Sequence, residues 1–484
     1  MDTMRRWCPA VTVVAALLLG GAAQAQHKSW LKGWHDPSKE KDIHVGQMGL
    51  FFVNGAANLG LTTGGYYTSA VNEAAPGGAT TVGLTYQSHQ MYVEYYIPKN
   101  VTHPYPVVMI HGGAQTQTNF WMTPDGQPGW GQFFLANGYA VYIADQVGRG
   151  NSGYAFEPYG AYYGTLAEPK VAIGPPTSVT SVETSWSIPQ LLNVFPHGYL
   201  HTQWPGTGMP GSYFFDQFMM SQVSSNGNAI FTQAEAQAAG AALLDRIGPA
   251  IIVTHSQSGV FGPLIADKRP NLVKGVVTVE GISSPHGYIA GVLYPSGYNP
   301  CTVGPATMTG PRRHLCTSPA GTVANLPGTG GSIYPDGNDS PYYIDNNGIV
   351  GATPYGITTI PVTYSPAWNV ATDTLNFVQE ATPDGPDVRC WLQGGSSPKQ
   401  LVNLIGIPHL MITAEASNSS STNHCVSKYL TQAGWQNTWL SLGMVGIHGN
   451  AHMMMTERNE LEIAAFLASW LVENVENGAK AAKH

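Results

Sequence analysis

The chain has 484 residues, of which 43% are hydrophobic and only 10% are charged, and its formal net charge is −8. An ordinary soluble domain carries roughly 25% charged residues, and the low, acidic charge argues against a nucleic-acid binder, a coiled coil or a disordered chain. The 57 glycines and 35 prolines follow no period, which predicts a loop-rich globular protein of one large domain or two to three small ones.

The N-terminus has the residue order of a secretory signal. Arg5 and Arg6 precede an apolar run over residues 11–19, and small residues follow up to Ala25. The run is shorter than the roughly 20 residues of a membrane-spanning helix. We therefore expect residues 1–25 to be a cleaved signal peptide, which leaves a secreted or periplasmic chain without a membrane anchor.

Short apolar runs then alternate with helical segments. The predicted strands are Met48–Val53, Met91–Ile97, Pro106–Ile110, Tyr139–Ala144, Ala250–Thr254, Val273–Val279 and Ile407–Thr413, and the predicted helices are Ala234–Ile247 and Thr456–Val475. Continuous apolar runs of this length are typical of buried parallel strands. The pattern predicts an α/β class with a doubly wound, mostly parallel sheet that binds ligands at the carboxyl ends of its strands.

Two regions interrupt this alternation. Residues 154–231 and 285–400 are rich in Gly, Pro, Tyr, Ser and Thr, and they are too long for connections inside a compact sheet. We expect both to be insertions of one domain, residues 26–484, which form a cap over the strand ends. Independent extra domains are the alternative.

The sharpest motif is the stretch 254–259, which follows a predicted strand. In a nucleophile elbow, a serine occupies a strained strand-to-helix turn that needs small residues two positions before and after it. Ser256 has Thr254 and Ser258 at those positions. With Ser258 as the nucleophile, β-branched Val260 would occupy one of them. Ser256 is therefore the predicted nucleophile.

A serine nucleophile needs a base, which an acid orients. The expected chain order is serine, acid, histidine, so the base should lie near the C-terminus. His452 directly precedes the last predicted helix and is the preferred base, with His448 as the alternative. Gly449 and Asn450 between them argue against a helical metal-binding pair.

Two glutamates follow predicted strands. Glu280 ends the strand after the elbow helix, and Glu415 ends the next strand. Topology alone favours Glu415, because the acid usually follows the later strand. Asp145 also ends a strand, but it opens a Gly-rich turn and is interpreted as structural.

An oxyanion hole needs two backbone N–H donors. The residue after the nucleophile, Gln257, supplies one. We expect the second from Gly113 or Ala114, in the loop after His111 and Gly112. A simple tight turn also explains the Gly-Gly pair.

Four cysteines remain after the expected cleavage: Cys301, Cys316, Cys390 and Cys425. An even number in an oxidising compartment indicates disulfides, and three pairings are possible. Cys301–Cys316 and Cys390–Cys425 are favoured, although spacing does not decide between the pairings. No Cys-x-x-Cys spacing supports a zinc site.

No cofactor is expected. The sequence has no phosphate-binding loop, dinucleotide fingerprint or basic patch. Asp336, Asp339 and Asp345 offer oxygen ligands for a structural calcium, but they do not complete an EF-hand pattern, and solvated turns explain them equally well. No nucleic-acid partner is indicated, and the oligomeric state stays open.

As a set, these motifs resemble a family of secreted α/β-hydrolase carboxylesterases, the Alcaligenes vicinal-disulfide esterase type. The motifs are His111-Gly112, residues 123–126 with Gly129-Trp130, residues 145–150, residues 255–259, Val279-Glu280 and residues 448–455. The similarity covers most of residues 106–471, apart from 285–400. It implies the α/β-hydrolase fold and hydrolysis of a small-molecule or polymeric ester through an acyl-enzyme.

The resemblance also bears on the acid, because that family uses a glutamate after the strand that follows the elbow. It therefore implies Ser256, Glu280 and His452, and it reverses the topological preference for Glu415. Two adjacent cysteines follow His-Gly in that family, where this chain has Gly113 and Ala114. A rigid oxyanion loop is therefore not implied.

Two alternatives to an esterase stay open at this point. The first is an amidase, lactonase or polyester hydrolase that uses the same triad, and the second is a non-catalytic binding protein with a hydrolase scaffold. Within the first insertion, Phe214 and Phe218 either line an acyl pocket or pack in the core of an amphipathic helix.

Overall fold

The computed structural model describes residues 29–39, 42–55, 66–68, 73–74, 80–81, 85–154, 173–192, 197–282, 355–373, 377–381 and 390–477. The expected signal peptide lies outside these residues. So do Cys301, Cys316 and the three aspartates considered for calcium.

Eight strands form one mixed sheet. In chain order they are β1 (Val45–Asn54), β2 (Gln90–Pro98), β3 (Val107–Ile110), β4 (Val141–Asp145), β5 (Ala250–His255), β6 (Val273–Val279), β7 (His409–Thr413) and β8 (Thr438–Ser441). Their spatial order is β1-β2-β4-β3-β5-β6-β7-β8. The β1–β2 and β2–β4 pairs are antiparallel, and all the other pairs are parallel. The carboxyl ends of β3 to β8 therefore meet at one edge of the sheet.

Helices flank this sheet. The longer ones are α1 (Trp130–Ala136), α2 (Tyr213–Met220), α3 (Ala229–Ile247), α4 (Phe261–Lys268), α5 (Asn423–Gln432) and α6 (Glu460–Leu471), which continues as a wider turn over Val472–Glu476. Short helical turns occupy Thr118–Trp121, Gly150–Ser152, Val179–Val182, Glu183–Ser187, Pro189–Leu192, Gly198–Leu200, Ser256–Val260, Val370–Asp373 and Leu442–Val445. Among the residues that the structure describes, no helix combines the length and the hydropathy that crossing a membrane requires.

In addition to the main sheet, the described residues contain four two-stranded ribbons. They are Tyr66–Thr68 with Thr85–Gln87, Glu73–Ala74 with Thr80–Thr81, Ile173–Gly174 with Ser225–Asn226, and Phe377–Gln379 with Trp391–Gln393. The third ribbon pairs two stretches that lie between β4 and α3 in the chain. We call residues 173–192 and 197–228 the β4–α3 segment.

Alternate side chains of the central strands enter two separate cores. On β5, Ile251 and Val253 pack in the core that contains α1 and α6, whereas Ile252 packs in the core that contains α3 and α4. All six residues of β5 are buried. Because both faces of the sheet are covered, apolar residues follow one another along its central strands, and the polar Thr254 and His255 at the end of β5 are buried too.

The predicted α/β class with a mostly parallel sheet is confirmed, and each predicted strand occurs. Strand β8 was not predicted. Among the described strands it pairs with β7 alone, at the sheet edge, and all four of its residues are half-buried. Its sequence, Thr438 to Ser441, has polar residues at both ends and so forms no apolar run. Helix α3 begins at Ala229, before the predicted start, because the Asn228 side chain accepts the N–H groups of Ile230 and Phe231.

A disulfide joins Cys390 to Cys425 on α5, which is one of the two favoured pairings. His424 lies beside this bond, and its Nε2 atom is 3.5 Å from the Cys425 Sγ. The three residues are close enough to surround a metal ion. Bonded to each other, however, the two sulfur atoms are not the thiolates that a metal site needs.

The turn after β5 packs directly on the backbone after β6. A Cβ atom on Gly259 would lie 1.7 Å from the Gly281 carbonyl oxygen. We expect Gly259→Ala to lower the free energy of unfolding by about 3 kcal/mol, because two backbones must separate. Gly227→Ala is the matched control, since a Cβ atom there meets no neighbour within 4 Å. Urea unfolding of both variants checks this, and equal stabilities would contradict the close contact.

Candidate active site

Ser256 follows β5 in a strained turn. Its φ angle is 55°, in the left-handed region that non-glycine residues rarely adopt. The Ser258 hydroxyl accepts the His255 N–H at 2.8 Å and donates to the Ile110 carbonyl at 2.8 Å. Ser258 is fully buried. Its hydroxyl therefore locks the turn against β3, which explains a small polar residue at this position.

The structure brings Ser256, His452 and Glu280 together. The His452 Nε2 atom lies 2.9 Å from the Ser256 Oγ, and its Nδ1 atom lies 3.2 Å from the Glu280 Oε2. Glu280 directly follows β6 and also has a left-handed backbone, with φ 56°. Ser256 and Glu280 thus extend from neighbouring parallel strands toward opposite sides of one imidazole.

The carboxylate of Glu280 is buried, and hydrogen bonds fix the oxygen that does not face His452. Its Oε1 atom accepts the Ala414 backbone N–H and, at 2.9 Å, the Ser417 hydroxyl. Both donors lie just after β7. Because these bonds occupy Oε1, the imidazole contacts Oε2. A buried negative charge on a carboxylate is tolerated when several donors bind it, as here.

Glu415 and His448 form a separate pair. The His448 Nδ1 atom lies 3.2 Å from both Glu415 carboxylate oxygens, and the Gly449 N–H donates to Oε2 at 3.1 Å. The His448 side chain is 62% exposed. Among the described contacts, neither residue is hydrogen-bonded to Ser256 or to His452.

Glu457 organises the loop that carries His452. It accepts the Ala451 N–H at 3.1 Å and the Asn450 side-chain amide at 2.8 Å. A third partner comes from the β4–α3 segment, where the His201 Nε2 atom lies 2.9 Å from its Oε1. Both side chains of the His201–Glu457 pair are fully buried. This pair fastens the β4–α3 segment to the loop.

The same segment contributes an aromatic face to the site. The Trp186 ring stacks on the His452 ring with a centroid separation of 5.5 Å and an interplanar angle of 19°. Phe214 and Phe218 pack edge-on against Trp204 and are buried, as in the core-packing alternative for these two residues. Sequence reasoning missed Trp186, because it lies in a region without a motif.

The loop after β3 approaches Ser256. A Cβ atom on Gly112 would lie 2.8 Å from the Ser256 Cβ, so only glycine allows this approach. Ala114 has a φ angle of 56°, and its carbonyl accepts the Val223 N–H at 2.8 Å. Within the described part of the chain, the backbone N–H groups of Gly113, Ala114 and Gln257 donate to no acceptor.

His255 lies under His452 and was not singled out from the sequence, although it precedes the predicted nucleophile. Its Nε2 atom is 3.0 Å from the His452 carbonyl oxygen. Burial lowers the pKa of His255 well below its usual range, and the nearby His452 ring lowers it further. His255 is therefore neutral, and its Nε2–H donates to the carbonyl of the residue that it supports.

Asp145 has the structural role predicted for it. Its carboxylate accepts the backbone N–H groups of Gln117 and Asn151, each at 2.8 Å. Both bonds hold the Gly-rich turn after β4, and the side chain is fully buried. Burial raises the pKa of Asp145, and the two N–H donors oppose the rise.

Known proteins are similar to this chain in sequence or in structure. The chain is 35% identical over 390 residues to a probable secreted lipase, phiG, from a fungal species (strain ATCC 74256), over 81% of this chain and 88% of that protein. A solved bacterial esterase aligns with a TM-score of 0.53 and 20% identity, over 90% of this chain and 99% of the esterase. A thermostable esterase from Pseudomonas putida ECU1011 has a TM-score of 0.33 and 12% identity, over 80% and 79%. No family model matches.

The sheet order and the likeness to the bacterial esterase define an α/β-hydrolase fold. The sequence identity to the secreted lipase, and the share of both chains that it covers, also assign the family. The chain belongs to the family of secreted lipases and esterases of α/β-hydrolase type, and it is a carboxylesterase-type hydrolase.

Glu460, the first residue of α6, makes stability depend on pH. Burial raises the pKa of its carboxyl to about 7, and the negative charge of Asp125 adds to the rise. In the unfolded chain the carboxyl ionises near pH 4.5. The folded state therefore favours the protonated form, and the stability that this form contributes is lost as pH rises from 4.5 through 7.

We expect Glu460→Gln to raise the stability at pH 8, by at most about 3 kcal/mol, and to have no such effect below pH 4.5. Glu473→Gln, at an exposed position on the same helical segment, is the control. Chemical unfolding across pH 4 to 9 measures the difference. A gain that does not change with pH would disprove the assigned cause.

Proposed function

We propose that this chain hydrolyses carboxylic esters through an acyl-enzyme on Ser256. The observation that carries the proposal is the continuous hydrogen-bonded path from the Ser256 hydroxyl through both nitrogens of His452 to Glu280. A serine is activated when a base receives its proton and a buried carboxylate orients that base. Membership of the lipase and esterase family supports the same chemistry.

In this mechanism, Ser256 Oγ attacks the ester carbonyl carbon while His452 Nε2 takes the hydroxyl proton. The tetrahedral intermediate collapses as His452 returns that proton to the leaving alcohol, and the acyl group stays on Ser256. Water then attacks the acyl-enzyme with His452 again as the base. The free acid is released and the serine hydroxyl is restored.

Glu280 keeps the His452 proton on Nδ1, so that Nε2 is free to accept the proton of Ser256. Its Oε1 atom is already bonded to Ala414 and Ser417, which restricts the carboxylate to one orientation. The negative charge of Glu280 stabilises the imidazolium that forms during each proton transfer.

The developing oxyanion would be bound by the N–H groups of Gln257 and of Gly113 or Ala114. These groups have no acceptor within the described residues. Ala114 is the third residue here with a left-handed backbone, alongside Ser256 and Glu280. A strained backbone persists only where the surrounding structure holds it in place, and such residues cluster at active sites.

The β4–α3 segment would act as the cap of the site. Trp186 covers one face of the His452 ring, His201 bonds Glu457 of the loop that carries His452, and Val223 bonds Ala114. A covered imidazole is shielded from bulk water, which strengthens its interactions with Ser256 and Glu280. The substrate would be an ester outside the cell, in line with the expected signal peptide.

We expect Ser256→Ala to lower kcat by about 10⁵-fold or more and to abolish labelling by a fluorophosphonate, because no other group can form the acyl-enzyme. The matched control is Ser258→Ala, which should keep the label but lose stability, since its hydroxyl ties the turn to β3. Hydrolysis of p-nitrophenyl butyrate and peptide mass mapping of the adduct are the measurements. A label on Ser258, or turnover by Ser256→Ala, would sink the proposal.

The two glutamates are separated by the same assay. Glu280→Gln should lower kcat by about 10³- to 10⁴-fold. The uncharged amide can hold the His452 ring in the wrong tautomer, and it does not stabilise the imidazolium that forms during proton transfer. Glu415→Gln should stay within about threefold of the unchanged protein, since Glu415 contacts His448 rather than His452. A larger loss from Glu415→Gln would overturn the assignment of the acid.

A further inference from the structure

Arg149 is a buried cation whose hydrogen bonds go to neutral oxygens of the site. It lies in the turn after β4 and is 3% exposed. Its Nη1 group donates to the Gly112 carbonyl at 2.8 Å, and its Nη2 group donates to the Gln257 side-chain Oε1 at 2.6 Å. A buried charge needs several well-placed partners to be tolerated. These two partners flank the nucleophile Ser256.

The Gly112 carbonyl accepts more than one donor. The His111 Nε2 atom accepts the Gln146 N–H at 3.1 Å, so the ring proton is on Nδ1, which donates to the Gly112 oxygen at 2.8 Å. The Gln146 side-chain amide adds a longer contact of 3.4 Å. With Arg149, three side chains converge on one carbonyl oxygen.

This convergence acts on the next residue through the peptide bond. In a trans peptide, the N–H of Gly113 points opposite to the Gly112 C=O. The donors on that oxygen therefore fix the direction of the Gly113 N–H. They also polarise the peptide, and a polarised peptide is a stronger N–H donor. Gly113 is one of the proposed oxyanion donors.

The turn that carries Arg149 is itself rigid. Asp145 accepts the N–H groups of Gln117 and Asn151, one on each carboxylate oxygen. Gly150 has a φ angle of 47°, and a Cβ atom there would lie 2.4 Å from the Asp145 Oδ2. Only glycine fits this position, so the chain folds tightly around Asp145.

We propose that Arg149 is the positioning residue of the oxyanion hole. One guanidinium joins the Gly112–Gly113 peptide to Gln257, and so sets the spacing between the two N–H donors that receive the oxyanion from Ser256. The inference rests on the proposed function, because it concerns the same site. Burial lowers the pKa of Arg149 only to about 10, so the group stays charged at neutral pH.

The test compares Arg149→Met with Arg269→Met, whose guanidinium forms a surface pair with Asp245. Each protein is titrated with a fluorophosphonate so that kcat refers to competent sites. For Arg149→Met we expect kcat per titrated site to fall about 10- to 100-fold, with KM within about twofold. The inhibition constant of a trifluoromethyl ketone, which forms a tetrahedral oxyanion adduct, should rise by the same factor. Arg269→Met should change none of these values.

Arg149→Lys and Gln257→Met each remove one of the two guanidinium bonds, and we expect a smaller loss of the same kind. These two variants test the proposal if the Arg149→Met protein does not fold and cannot be purified. A merely structural role predicts fewer titrated sites with unchanged kcat per site and unchanged ketone binding, and that result overturns the inference. An unchanged protein that takes no label on Ser256 would instead refute the proposed function.

Discussion

The close packing of Gly259 on Gly281 is the contact on which the site depends. Neighbouring parallel strands, β5 and β6, each end in a residue with a left-handed backbone, Ser256 and Glu280. The turns that follow can lie against each other only because neither glycine has a side chain. That approach sets the distance between the serine hydroxyl and the carboxylate, and the imidazole of His452 fits between them. Any side chain at this contact would separate the two strand ends and lengthen both hydrogen bonds.

Around this centre the buried polar groups are arranged so that few charges lack a partner. Burial keeps His255 neutral, and burial with the nearby Arg149 charge lowers the pKa of His111 to about 3. Both rings therefore act as fixed donors to backbone carbonyls. The charged groups are surrounded instead, Glu280 by backbone and hydroxyl donors and Arg149 by carbonyl and amide oxygens. A site built in this way is organised before a substrate binds, which is the condition for electrostatic stabilisation of an oxyanion.

The β4–α3 segment is part of this organisation rather than a separate appendage. Trp186 stacks on the His452 ring, His201 contacts the buried Glu457 that holds the loop carrying His452, and the Val223 N–H donates to the Ala114 carbonyl. One stretch of chain thus contacts both the loop that carries His452 and the loop after β3. Loosening it would therefore affect the orientation of His452 and the loop at Ala114 together, which couples this segment to the proposed active site.

The sequence by itself determined the α/β class, the positions of most strands along the chain, the placement of Ser256 in its turn and the two histidines, His448 and His452, that were candidates for the base. These follow from local patterns, since apolar runs and small residues around a strained turn depend only on near neighbours. Strand topology alone favoured Glu415, and only the family resemblance pointed to Glu280; no pattern in the sequence indicated the positions of Trp186 and Arg149. Those depend on contacts between residues 33 to 266 positions apart, which exist only after the sheet has brought the strand ends together. Edge strand β8 escaped prediction for a related reason, because its pairing rather than its composition makes it a strand.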